Sequence, residues 1–92
     1  MTEHVLKTWP AYFDAVERGE KVFEVRRDDR GYQKGDMVIL WRYDPHPSPY
    51  HMTQSPDRAR KVRGTIGWIL TGGQFGLEPG YVAFSLLNVE PA

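Results

Sequence analysis

Apolar residues recur at two different spacings along this 92-residue chain, and the places where the spacing changes divide it into elements. His4-Val5-Leu6-Lys7-Thr8 is a short extended stretch, too brief for alternation alone to secure a strand. Trp9-Pro10 ends it, because a residue before proline is pushed out of the helical region while proline itself suits the first turn of a helix. Tyr12, Phe13 and Val16 then fall at helical spacing on one face, opposite Asp14, Glu17 and Arg18, and Gly19 stands where helices commonly end in a left-handed residue. The pattern predicts a short amphipathic helix packed on a sheet. From Lys21 to Arg27 the spacing becomes that of a strand, with Val22, Glu24 and Arg26 directed one way and Lys21, Phe23, Val25 and Arg27 the other. Neither side of that strand is cleanly apolar.

Two glycine-containing polar clusters, Asp28 to Gly31 and Tyr32 to Asp36, read as turns. Met37 to Tyr43 is β-branched and aromatic and is the most secure strand. Asp44 to Asp57 holds four of the seven prolines and reads as a long exposed loop. Arg58 to Thr71 alternates again, with Val62, Ile66, Trp68 and Leu70 in one register, Lys61, Arg63, Thr65 and Ile69 in the other, and Gly64 and Gly67 suggesting a bulge. A glycine-rich connection to Gly80 leads to a last strand from Tyr81 to Val89, with Val82, Phe84 and Leu86 on one face. A helix near the front followed by long strands predicts an α+β fold, residues 1–92 forming one domain whose small sheet curls toward a barrel. Curling also limits the open edges on which strands of other chains could pair.

Composition narrows the function more than the fold. A chain of this length buries roughly 60 to 65% of its unfolded surface, enough for one modest core. Lysine plus arginine balances aspartate plus glutamate at 12 each, so no global positive field advertises a nucleic acid, and any such contact would be a local patch. Cysteine is absent, which removes thiolate catalysis, disulfides and the common zinc clusters and fits a reducing compartment. No stretch approaches a membrane span, and the expectation is a cytoplasmic protein without a membrane partner.

Most catalytic constellations are missing. There is no Gly-x-Ser-x-Gly. His46 and His51, near Asp44 and Asp57, have a spacing that suits metal, but in a proline-rich loop solvated histidines are the simpler reading, so no metal or cofactor is expected. Gly72-Gly73-Gln74-Phe75-Gly76 lacks the lysine and Ser/Thr of a phosphate-binding P-loop and reads as a turn. What is left is a polar set toward the front of the chain: His4, Lys7, Lys21, Glu24, Arg26 and Arg30. A carboxylate and a guanidinium two residues apart on a strand hold each other at fixed geometry and leave donors for a ligand, with Trp9, Tyr12 and Tyr32 close by as stacking surfaces. A lysine held beside a carboxylate also suits a base or nucleophile. The same residues serve equally as ion pairs that brace a strand.

The run Gly19-x-Lys21-x-x-Glu24-x-Arg26 resembles the signature of ASCH domains, a branch of the PUA-like superfamily. More narrowly, the chain resembles the DUF3850 family of small bacterial and phage proteins. The matching pieces are His4-x-Leu6-Lys7-x-x-Pro10-x-x-Phe13, Gly19-x-Lys21-x-Phe23-Glu24-x-Arg26, Asp29-Arg30, Gly35-Asp36, Tyr43-Asp44-Pro45 and Gly73-x-x-Gly76-Leu77-x-x-Gly80-Tyr81-Val82. The resemblance implies a PUA-like pseudo-barrel with an N-terminal helix over one opening and a cleft beside it for RNA or a modified nucleoside or nucleotide. It places Lys21, Glu24 and Arg26 in the cleft, with Lys7 and Arg30 as neighbours. Some ASCH proteins are amidohydrolases that deacylate N4-acylated cytidine with the signature lysine, a threonine and a distant glutamate. Lys21 matches that lysine, and Glu24 stands where that branch has its threonine. Binding is therefore the first expectation, with hydrolysis by Lys21 and Glu24 as the alternative. The basic run Arg58, Arg60, Lys61, Arg63 would extend the contact if it lies on the same side. A protein partner, in a phage or host-defence setting, is a third reading resting on Trp41, Tyr43 and Tyr50.

Overall fold

The computed structural model describes residues 1–47 and 53–92. Its elements are β1 (Glu3–Thr8), α1 (Pro10–Glu17), β2 (Phe23–Arg27), β3 (Met37–Arg42), β4 (Lys61–Thr71) and β5 (Tyr81–Pro91), in one mixed five-stranded sheet of order β1-β3-β4-β5-β2. All neighbours run antiparallel except β1 and β3, which are parallel, with Glu3 opposite Met37 and Thr8 opposite Arg42. The sheet curls into a half-barrel with α1 against it, which is an α+β fold. His4-Thr8, too short to be secure as a strand by pattern, becomes one because β3 supplies its partner. Alternation then buries His4, Leu6 and Thr8 on the inner face.

The core is built from the inner parity of β1, β3, β4 and β5: Leu6, Val38, Leu40, Val62, Ile66, Val82, Phe84 and Leu86, closed by Phe13 and Val16 from α1. Tyr32 belongs to it as well. The sequence places Tyr32 in a turn, available for stacking, whereas its ring lies 5.2 Å from that of Phe84 and 4.8 Å from that of His4, and is buried. Burial pushes its phenol above the ordinary value.

The bulge signalled by Gly67 changes which side chains face inward. The β4–β5 register shifts between Ile66 and Ile69, so Ile69 packs on the core while Trp68 turns outward, 67% exposed, against the simple alternation. Gly67 permits this close approach: a Cβ there would meet the Leu87 side chain at 3.1 Å. Between β4 and β5 the glycine-rich connection is a hairpin tip, with Gly73 N donating to Leu77 O at 2.7 Å and positive φ at Phe75 and Gly76.

Two capping features aim the chain at the site. Trp9 holds an extended conformation with Pro10 in the first turn of α1, which turns the chain sharply from β1 into the helix. At the other end Gly19 has φ 82°, its N–H donates to Val16 O at 3.0 Å, and Glu20 N donates to Ala15 O at 3.0 Å, the paired bonds of a Schellman cap. Lys21 N also reaches Ala15 O, at 3.1 Å, so the chain leaves the helix with Lys21 held just ahead of β2.

Candidate functional site

β1 and β2 are the two edges of the sheet, and curling brings them near each other beneath the start of α1. The space between them is a cleft of about 480 Å³ lined by Lys7, Thr8, Trp9, Tyr12, Lys21 and the segment from Phe23 to Arg26. Four of the five residues expected at the site, Lys7, Lys21, Glu24 and Arg26, line it.

Glu24 is the centre of the arrangement. It points inward from β2, opposite Phe84 of β5, and is 3% exposed. One carboxylate oxygen, Oε1, accepts from Arg26 Nε at 2.9 Å, and the other, Oε2, accepts from Lys21 Nζ. Lys21 also donates to Phe23 O at 2.6 Å. Simple alternation assigns Lys21 to the side opposite Glu24. Because the strand begins only at Phe23, Lys21 lies before it and its side chain folds around the sheet edge to the buried carboxylate. Two cations flank one carboxylate, so the group carries a net positive charge at the mouth of the cleft.

Arg26 has a second task. Its Nη2 donates to Lys7 O at 3.1 Å and to Thr8 Oγ1 at 3.2 Å, spanning the gap from β2 to β1. Arg30 makes a similar bridge, donating from Nη1 to Val5 O at 3.4 Å, and does not line the cleft. Lys7 is exposed, with Nζ 4.7 Å from the centre of the Tyr43 ring. His4 is turned into the core, where Nε2 meets Asp36 Oδ2 at 2.8 Å.

Trp9 and Tyr12, each 54% exposed, lie nearly parallel at the cleft rim, with ring centres 6.4 Å apart and planes 15° apart. Lys21 Nζ sits 6.0 Å from the Tyr12 ring centre and 4.9 Å from that of Phe23. Besides Phe23 and Val25, the cleft residue that the sequence reading misses is Thr8. Its place at the last inward position of β1, just before Trp9-Pro10, was the available signal.

Residues 3–86 match the family described as "Domain of unknown function (DUF3850)". The chain belongs to that family. Its likeness among curated proteins includes the "Uncharacterized 12.9 kDa protein in GpA 3'region" of Escherichia phage P2, 46% identical over 37 residues. That match covers 40% of the DUF3850 chain and 34% of the phage protein, so the chain spans about a third of the length of this relative.

Other parts of the DUF3850 chain lie outside the cleft. None of Arg58, Arg60, Lys61 and Arg63 lines it. Arg60 pairs with Glu17 at 2.6 Å, Lys61 donates to Pro56 O at 2.7 Å, and Arg63 lies 3.7 Å from Glu90, so three of the four basic groups face partners of their own. Arg42 similarly binds Asp14, whose carboxyl this guanidinium holds below the usual range. Trp41 is buried, edge-on to Tyr43, rather than offered to a partner. Tyr50 and His51 lie outside the described residues. No group of three metal-ligating side chains occurs among the described residues. No helix among them is long and apolar enough to cross a membrane.

Proposed function

We propose that this DUF3850 chain binds RNA or a nucleotide in the cleft between β1 and β2, and that its half-barrel is of the PUA-like, ASCH type. The observation that carries the reading is the juxtaposition in one cleft of a parallel pair of exposed aromatic rings with Lys21, Glu24 and Arg26. Aromatic faces support bases whatever their identity, while ammonium and guanidinium groups meet phosphate and base acceptors. The bonding within the triad favours binding over hydrolysis of an N4-acylated cytidine. Both oxygens of Glu24 already accept, and Lys21 already donates to two acceptors, so the triad stands as a braced set of cationic donors.

The test is calorimetric titration of the wild type, Trp9→Ala and Lys21→Ala with nucleoside monophosphates and short single-stranded RNAs, beside a turnover assay on N4-acetylcytidine. Binding to the wild type that weakens in both variants supports the reading. Binding that neither substitution disturbs removes the cleft as its location, and turnover that depends on Lys21 and Glu24 replaces binding with catalysis.

A further inference from the structure

The hydrogen-bond parity of the two edge strands decides which backbone groups face the cleft. Leu86 N donates to Val22 O at 2.9 Å and Asp28 N to Gly80 O at 2.8 Å, so the even-numbered residues of this segment bond to β5. Phe23, Val25 and Arg27 therefore turn both their N–H and their C=O to the free edge. On the other side Met37 N donates to Thr2 O and Tyr43 N to Thr8 O, each at 2.9 Å, which leaves Val5 and Lys7 turned outward from β1.

Most of these edge carbonyls are occupied. Lys7 O accepts from Arg26, Val5 O from Arg30, Phe23 O from Lys21, and Arg27 O from Asp29 N at 3.0 Å. Val25 differs: it lines the cleft, and among the described residues its N–H and C=O are both without a partner. Its side chain belongs to the outer parity and is half exposed.

A strand adding to β2 would need a ladder of such groups, and the carbonyls on both sides of Val25 are taken. At Val25 the edge offers one donor beside one acceptor, in the cleft that Trp9 and Tyr12 also line, whereas at Phe23 and Arg27 the carbonyl is occupied. That pattern is complementary to one planar group carrying an acceptor next to a donor. We infer that the cleft reads its nucleotide through the main chain, the Watson–Crick edge of one base pairing with the N–H and C=O of Val25. The inference rests on the nucleotide reading above and sharpens it. Each base carries a donor next to an acceptor on that edge, so recognition is tolerant of base identity but requires the edge to be free. The ligand is an unpaired nucleotide, and a base methylated on that edge binds more weakly.

The test uses the whole 15N-labelled chain with the monophosphates of uridine, cytidine, adenosine and guanosine, and with those of N3-methyluridine and N1-methylguanosine. In the free protein the Val25 amide should exchange with solvent faster than the amides of Glu24 and Arg26. A saturating nucleotide should slow it by about tenfold or more, and edge methylation should weaken binding by about tenfold. Val25→Pro, which deletes the donor at an edge position outside the ladder, should lose a similar factor while Val25→Ala does not. Nucleotides that bind with sensitivity to Trp9→Ala and Lys21→Ala, yet leave Val25 unprotected or tolerate the methyl group, overturn this inference and leave the binding reading standing. If neither the unmodified monophosphates nor the short single-stranded RNAs bind, both fall. The exchange measurement on the wild type decides the matter even if Val25→Pro fails to fold.

Discussion

Two carboxylates of this chain, Asp36 and Glu24, are buried equally, each 3% exposed, yet they are surrounded in opposite ways. Asp36, just ahead of β3, accepts from His4 Nε2 at 2.8 Å and from the backbone N–H groups of Thr2 at 3.2 Å and Gln33 at 3.0 Å. His4 is itself packed against Tyr32, so this cluster ends in the core. Among the described residues Glu24 accepts from side chains alone, and those side chains, Lys21 and Arg26, remain 19% and 23% exposed and line a cleft. A carboxylate enclosed by backbone amides and a core ring ties loops together. One enclosed by two cations that still reach solvent fixes where those cations stand, and leaves them donors for something else. The contrast teaches that burial of a charge does not by itself mark a site; the exposure of its partners does.

The largest expected effect tests the Asp36 side of this contrast. Asp36→Ala strands buried donors and should lower stability by about 3 kcal/mol or more in urea unfolding, without touching the cleft. The same carboxyl should carry a pH signature. The bond from His4, with those from Thr2 and Gln33, holds it below its ordinary value of 3.8. A depressed carboxyl stabilises the fold fully above its unfolded value, and that contribution fades as pH falls toward the folded one. Wild type should therefore lose more stability than Asp36→Asn as pH is lowered from about 5 to about 2, and parallel losses would detach Asp36 from the acid response.

Glu24→Gln should cost less, about 1 to 2 kcal/mol, because Lys21 and Arg26 can turn to water, but it should abolish nucleotide binding by releasing both cations. A loss of stability as large as that of Asp36→Ala, with binding intact, would make Glu24 a second structural carboxylate. Trp9→Ala should move stability by no more than about 0.5 kcal/mol while weakening a stacked base by about 1 to 3 kcal/mol. The smallest effect belongs to Arg60→Ala, since an exposed pair with Glu17 is worth under about 1 kcal/mol and lies outside the cleft. A clear loss of RNA affinity in that variant would extend the interface to the β4 side.

Much of this was legible in the sequence, and the failures have physical causes. The helix end at Gly19, the β3 strand and the inner faces of β4 up to Ile66 and of β5 follow from local spacing and glycine chemistry, which the chain decides residue by residue. β1 was weak because its stability comes from a parallel partner more than 30 residues away, which no local pattern records. Trp68 shares the register of Val62 and Ile66 by simple alternation, because Gly67 announces a bulge without saying that it reverses the alternation beyond it. Tyr32 read as turn because its neighbours are polar, although its ring fills the core. At the site, residue type and resemblance single out Lys21, Glu24 and Arg26, and the two-residue spacing of Glu24 and Arg26 predicts the ion pair that the structure shows. The reach of Lys21 around the edge depends on where β2 begins, and the bridge from Arg26 to β1 depends on the curl of the sheet.

The pairing of β2 has a consequence for the order in which the protein comes into being. β2 is bonded only to β5, with Glu24 opposite Phe84 and Arg26 opposite Val82. A ribosome delivers Lys21, Glu24 and Arg26 early, but the strand that positions two of them arrives about 60 residues later, and such distant contacts form late in folding. Until residues 81–85 join the sheet, the nascent chain has the side chains of the cleft without the cleft. The cleft is thus completed by residues that take no part in it, and a break in β5 would undo its geometry as surely as the loss of Glu24.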